Sequence, residues 1–134
     1  MARRIRSGRL GFTLVELMIA MAVISILLSV AVPAYNKALV RGKETVLRQN
    51  LFSMRTVIDE FTYDKGKAPQ SLEDIVQAGY LRKVPMDPMT GSDRSWKIIM
   101  EDASNAVSQN EPGIFDVRSG SDKTSLEGTP YSEW

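Results

Sequence analysis

Arg9-Leu10-Gly11-Phe12-Thr13-Leu14-Val15-Glu16, followed by LMIAMAVISILLSVAVPAYN over residues 17–36, decides the architecture. Met1 to Gly11 carries four arginines, Arg3, Arg4, Arg6 and Arg9, and no acid. Leu17 to Asn36 then runs twenty residues without a charge, and Ser25 and Ser29 are the only hydroxyls in its apolar core, residues 17–32. About 20 apolar residues is the length a helix needs to cross the hydrocarbon of a bilayer. Positive charge ahead of such a run predicts a cytoplasmic N-terminus. The chain is expected to be a single-pass membrane protein.

Three readings compete for the apolar run. A cleaved secretory signal would be shorter and would end in a small-residue cleavage site, whereas Val30-Ala31-Val32 is followed at once by Pro33. An uncleaved signal anchor fits the hydropathy equally well. The third reading rests on Gly11-Phe12-Thr13-Leu14-Val15-Glu16: a basic leader ending in glycine, then phenylalanine, then one glutamate early in an apolar helix. That pattern resembles the class III signal of type IV pilins and type II secretion pseudopilins, and Pro33 falls at the proline position of that family counted from Phe12. The resemblance implies a leader of residues 1–11, cut by a prepilin peptidase between Gly11 and Phe12, with N-methylation of Phe12. It also implies a transmembrane and filament-core segment over residues 12–33, and an amphipathic helix half plus periplasmic head over residues 34–134.

Glu16 has a physical reading of its own. A carboxylate near the end of a membrane segment costs a few kcal/mol unless it is paired or reaches the interface. It is either tolerated at the headgroup boundary or used. Cleavage would create a positive amine at Phe12, and in a bundle of subunits that amine could pair with the Glu16 of a neighbour, an assembly role that the resemblance also implies. Loss of the leader removes four of seventeen basic residues, so the remaining chain carries thirteen against sixteen acids, about −3. The basic bias therefore belongs to targeting and orientation, not to a nucleic-acid surface.

Beyond the membrane segment, Leu47, Leu51, Met54, Ile58 and Phe61 follow the rhythm of one buried helix face. Lys43, Glu44, Arg48, Arg55 and Asp59 are assigned to other faces. One helix is expected from about Thr13 to Tyr63, kinked near Pro33, which lacks the N–H of a helical residue, with Gly42 a second weak point. Asp64-Lys65-Gly66-Lys67-Ala68-Pro69 stops it. Ser71 with Asp74 three residues on caps a short helix ending at Gly79. Trp96–Met100 and Gly113–Arg118 read as strands separated by a polar loop. The fold class is α+β and pilin-like: a long N-terminal helix packed on a small antiparallel sheet.

The later motifs narrow the resemblance to the major pseudopilin of type II secretion. They are Gly79-Tyr80-Leu81 with Pro85-Met86-Asp87-Pro88, then a strand, a Ser/Gly/Asp-rich loop and a terminal tryptophan, Phe115 to Trp134. Met89-Thr90-Gly91 replaces that family's aromatic-rich turn, and its late aspartate pair is missing. The resemblance implies a Ca²⁺ in the C-terminal loop, for which Ser119, Asp122 and Glu127 are the candidate ligands here. Calcium takes six to eight oxygens; the alternative is a solvated loop whose Ser, Gly and Asp residues serve turns. Trp134 is expected to anchor this loop by packing near the strand of Phe115 and Val117, with Leu126 and Tyr131 as the other apolar anchors.

With no histidine and no cysteine, a Ser-His-Asp triad, a thiol nucleophile and a His- or Cys-built metal site are excluded. No phosphate-binding glycine loop or nucleophile elbow is present, so the chain is not expected to be an enzyme. The implied function is that of a structural subunit of a secretion pseudopilus. Its implied partners are other copies in a helical filament, the prepilin peptidase, other pseudopilins, an inner-membrane assembly platform and the membrane, with no nucleic acid. A type IV pilus pilin or minor pilin is the alternative, although the absence of a cysteine pair and the short chain favour the pseudopilin.

Overall fold

Helix α1 spans Leu14–Lys65 and starts where the sequence supplies its cap. The computed structural model describes residues 11–134; Arg3, Arg4, Arg6 and Arg9, in the expected leader, lie outside the described residues. The described residues divide into two compact units, one ending at Ala38 and the other spanning Leu39–Trp134, and α1 contributes to both.

In the first unit α1 is apolar and outward-facing, with Leu14, Val23, Leu27 and Val30 all exposed. It is long and apolar enough to cross a membrane, which fits a membrane-anchored subunit. The two hydroxyls of the run turn back onto the helix, Ser25 donating to the Met21 carbonyl at 2.8 Å and Ser29 to the Ile26 carbonyl at 2.6 Å. Neither is therefore left bare where no water is available to satisfy it. Pro33 lies inside α1, where it deprives the Ser29 carbonyl of its helical N–H donor.

In the second unit the last seven turns of α1 carry the core. Leu47, Leu51, Met54, Ile58 and Phe61 are buried, as their spacing predicts. Glu44 is buried with them, correcting its assignment to another face: three residues before Leu47, it occupies the same helix face, and the helical period outweighs residue type. Gly66, at φ 69°, ends the helix, its N–H reaching the Thr62 carbonyl at 2.9 Å.

Helix α2, Leu72–Gln77, has the full capping box: the Ser71 side chain accepts from the Asp74 N–H, and the Asp74 carboxylate accepts from the Ser71 N–H. It closes in a Schellman turn. Gly79, at φ 87°, donates to Val76, and Tyr80 donates to Ile75.

Strands β1, Lys97–Met100, and β2, Ile114–Arg118, form a two-stranded antiparallel sheet. Lys97 faces Arg118 and Ile98 faces Val117, with an irregularity between Ile99 and Met100. The sheet is fastened to the segment after α1 by the Ile114 N–H donating to the Pro69 carbonyl at 2.7 Å. Ile75 of α2, Trp96, Ile114, Val117 and Tyr131 join the α1 stripe in a single core. A 3₁₀ turn, Tyr131–Glu133, closes the chain.

Candidate functional site

At the N-terminal end, Gly11, Phe12 and Thr13 precede the first helical residue, and Phe12 is 92% exposed. The Gly11–Phe12 peptide bond therefore sits in non-helical backbone directly ahead of α1. Thr13 and Glu16 form a second capping box. Glu16 Oε2 accepts from the Thr13 backbone N–H at 3.0 Å, and Thr13 Oγ1 accepts from the Glu16 N–H at 3.2 Å. Thr13 Oγ1 also donates to Glu16 Oε2 at 3.4 Å. The carboxylate is thus placed at the positive end of the helix dipole, which favours its charge. Thr-x-x-Glu is the sequence signature of this box. Cleavage would set a free amine one residue ahead of this box.

The C-terminal segment is built differently from its expected ligand set. Ser119 is fully buried; its hydroxyl donates to Asp87 Oδ2 at 2.7 Å and accepts from the Ser121 N–H at 3.2 Å. Glu127 faces Arg48, whose Nη2 stands 3.5 Å from both carboxylate oxygens. Asp122 is exposed. Ser119 and Glu127 are thus drawn to different partners, and among the described residues no three acidic side chains converge as metal ligands would. A hard cation requiring six to eight oxygens, several of them carboxylate, does not fit this donor set.

What holds the segment is a face of α1. Glu44 accepts from the Tyr131 hydroxyl at 2.8 Å and from the Leu126 N–H at 2.9 Å. Burial, and then the adjoining Glu44 carboxylate, push the Tyr131 phenol up to about 12. The Arg48 guanidinium lies 4.5 Å from the centre of the Trp134 ring, a cation–π distance. Arg55 donates to Asp116 at 2.7 Å, to the Val117 carbonyl at 3.1 Å and to the Trp134 carbonyl at 2.9 Å.

Trp134 stacks edge-on against Tyr131 with ring centres 5.1 Å apart, and its indole N–H donates to Thr129 Oγ1 at 2.9 Å. Its ring neighbours are Tyr131 and Arg48 of α1; the closing turn also meets β2, as expected, and Trp134 packs against the core that contains Val117, while Phe115 faces outward at 67% exposure. Leu126 contributes its backbone N–H; its side chain, expected to be an apolar anchor, is exposed.

Asp87, within the Pro85-Met86-Asp87-Pro88 motif, has a structural role. Fully buried, it accepts from the Met89 and Gly120 N–H groups at 2.9 and 3.1 Å in addition to Ser119. It ties the Asp-Pro segment to the start of the C-terminal loop. Gly120 is required there, because a Cβ would collide with the Ser95 carbonyl.

The family described as "Prokaryotic N-terminal methylation motif" matches residues 6–32. Type II secretion system core protein G of Pseudomonas aeruginosa is 30% identical over 99 residues, 62% of this chain and 70% of that protein. Core protein G of Klebsiella michiganensis is 28% identical over 106 residues, covering 64% and 72%. The type IV major fimbrial protein FimA of Dichelobacter nodosus is 37% identical over 65 residues, 48% of this chain and 41% of its own length. The chain thus spans about two fifths of the length of such fimbrial relatives. No solved structure matches the chain.

Proposed function

The chain belongs to the pilin-like family that includes type II secretion system core protein G, and we propose that it is a structural subunit of a type II secretion pseudopilus. The observation that carries this reading is the reach of the similarity. The two core protein G matches take in 62% and 64% of this chain and at least 70% of each relative, whereas the fimbrial match takes in 48% and 41%. The type IV pilus alternative is favoured by the higher identity of that shorter match, 37%.

In this account a prepilin peptidase cuts at Gly11–Phe12 and Phe12 is N-methylated. The head faces the periplasm, and copies assemble through α1 into a helical filament spanning the periplasm, joined by other pseudopilins and an inner-membrane platform. Glu16 supplies the charge that meets the Phe12 amine of a neighbour, and Pro33 gives α1 a bending point. A structural rather than catalytic role fits relatives named as a secretion-system core protein and a major fimbrial protein. Deleting the gene in its host separates the readings. The pseudopilus account expects an exported protein to be retained in the periplasm, with rescue by the wild-type chain; intact export with loss of surface pili or surface motility would assign it to a type IV pilus.

A further inference from the structure

We propose that the C-terminal segment, residues 119–134, is fastened by a metal-free clamp on α1, in which Glu44 takes the place a bound cation would fill. Glu44 is 7% exposed and has no cationic partner within ion-pair distance among the described residues. A carboxylate so placed needs strong donors. It has two, the Leu126 N–H and the Tyr131 hydroxyl, both on Oε1.

Those donors flank the turn at Gly128, so one carboxylate grips both arms of the loop. The arms are further joined by the Ser125 N–H donating to the Thr129 carbonyl at 2.8 Å and the Tyr131 N–H donating to the Lys123 carbonyl at 3.0 Å. Arg48 and Arg55 stand one and three turns further along the same side of α1 and take the rest of the segment: Arg48 the Trp134 ring and Glu127, Arg55 the terminal carbonyl. A calcium ion orders a loop by drawing scattered oxygens to one point. Here the convergence runs the other way, with loop donors drawn to one helix carboxylate, while two of the three candidate ligands face other partners, Ser119 on Asp87 and Glu127 on Arg48, and Asp122 belongs to no cluster of three acidic side chains among the described residues. The order of the loop is therefore independent of calcium and dependent on Glu44 and Tyr131.

The test is limited proteolysis of the full-length protein in detergent with a lysine-specific endoprotease that needs no metal, following release of the fragment after Lys123. Reactions run in EGTA and in calcium at roughly 10 mM, above the range of weak extracellular sites. The wild-type rate should be the same in both. Glu44→Ala should raise the rate about tenfold in both, the scale of a lost hydrogen bond to a charged group. Tyr131→Phe keeps the ring against Trp134 and removes only the hydroxyl, so it should also raise the rate while the core stays folded. Faster cleavage in EGTA that Asp122→Ala abolishes would overturn the proposal, and so would wild-type protection in both Glu44→Ala and Tyr131→Phe.

Discussion

The Glu44 carboxylate accepts the Tyr131 hydroxyl at 2.8 Å, joining residues 87 apart in the chain. Glu44 lies on the buried stripe of α1 and Tyr131 in the same core. This hydrogen bond thus helps fix the C-terminal segment against α1, together with the contacts of Arg48 and Arg55.

That bond gives the loop an alkaline limit. The Tyr131 phenol ordinarily titrates at 10.0 and in the fold is held up to about 12. A raised folded value means the folded state keeps its proton more tightly, so the contribution is complete below pH 10.0 and is lost as pH rises through about 12. Tryptophan fluorescence of the full-length protein should report release of Trp134 within that window, and Tyr131→Phe should show no such transition there. The tyrosinate difference spectrum between the two proteins isolates Tyr131 from Tyr80, whose phenol is also raised by its hydrogen bond to Asp64. A Tyr131 that ionises at its ordinary value would contradict the clamp geometry.

Asp87→Ala should be among the most damaging single changes in the head. It strands three donors, the Met89 and Gly120 N–H groups and the Ser119 hydroxyl, around a fully buried site. The expected loss is about 3 kcal/mol, from buried donors left without an acceptor. Asp87→Asn retains one acceptor oxygen and should lose less. Thermal unfolding in detergent ranks the two, and equal melting temperatures for Asp87→Ala and wild type would refute the role.

Arg55→Lys should behave almost as Arg55→Ala. The guanidinium reaches Asp116, the Val117 carbonyl and the Trp134 carbonyl together, a fork that a single ammonium cannot reproduce. A loss of about 2 kcal/mol is expected from either change, discounted for the half-exposed side chain. Denaturant unfolding checks it, and full rescue by lysine would show that charge alone suffices.

The elements of this fold were largely legible because they obey local rules. The apolar run, the five-residue core stripe of α1, the Ser71–Asp74 box and the two strands all announce themselves by period or cap. The clamp was not legible, because it depends on which distant segment meets a helix face. Glu44 looked solvent-facing by residue type, yet its position three residues before Leu47 put it on the core stripe. Asp87 stands in the Pro85-Met86-Asp87-Pro88 motif, and nothing nearby in sequence reveals donors more than thirty residues on. The Thr13–Glu16 box is legible in Thr-x-x-Glu, a local pattern that sits beside the long-range role suggested by a charge in an apolar helix.

That box separates two roles for Glu16. Glutamine completes a capping box as well as glutamate does but carries no charge, whereas Thr13→Ala removes the cap hydroxyl and leaves the carboxylate. If Glu16 works by pairing with a neighbour's amine, Glu16→Gln should insert normally but lose filaments, and Thr13→Ala should keep them at a helix cost of about 1 kcal/mol. Filament counts from cells expressing each variant decide it. Normal filaments from Glu16→Gln would reduce Glu16 to a cap.

The most direct test of the account is the mass of the N-terminal peptide of the protein extracted from membranes of cells with an active prepilin peptidase. A subunit of this family should begin at Phe12 and carry one additional methyl group on its amine. A chain that still carries residues 1–11 would contradict the processing at Gly11–Phe12 on which assembly, the amine partner of Glu16 and the pseudopilus reading all depend.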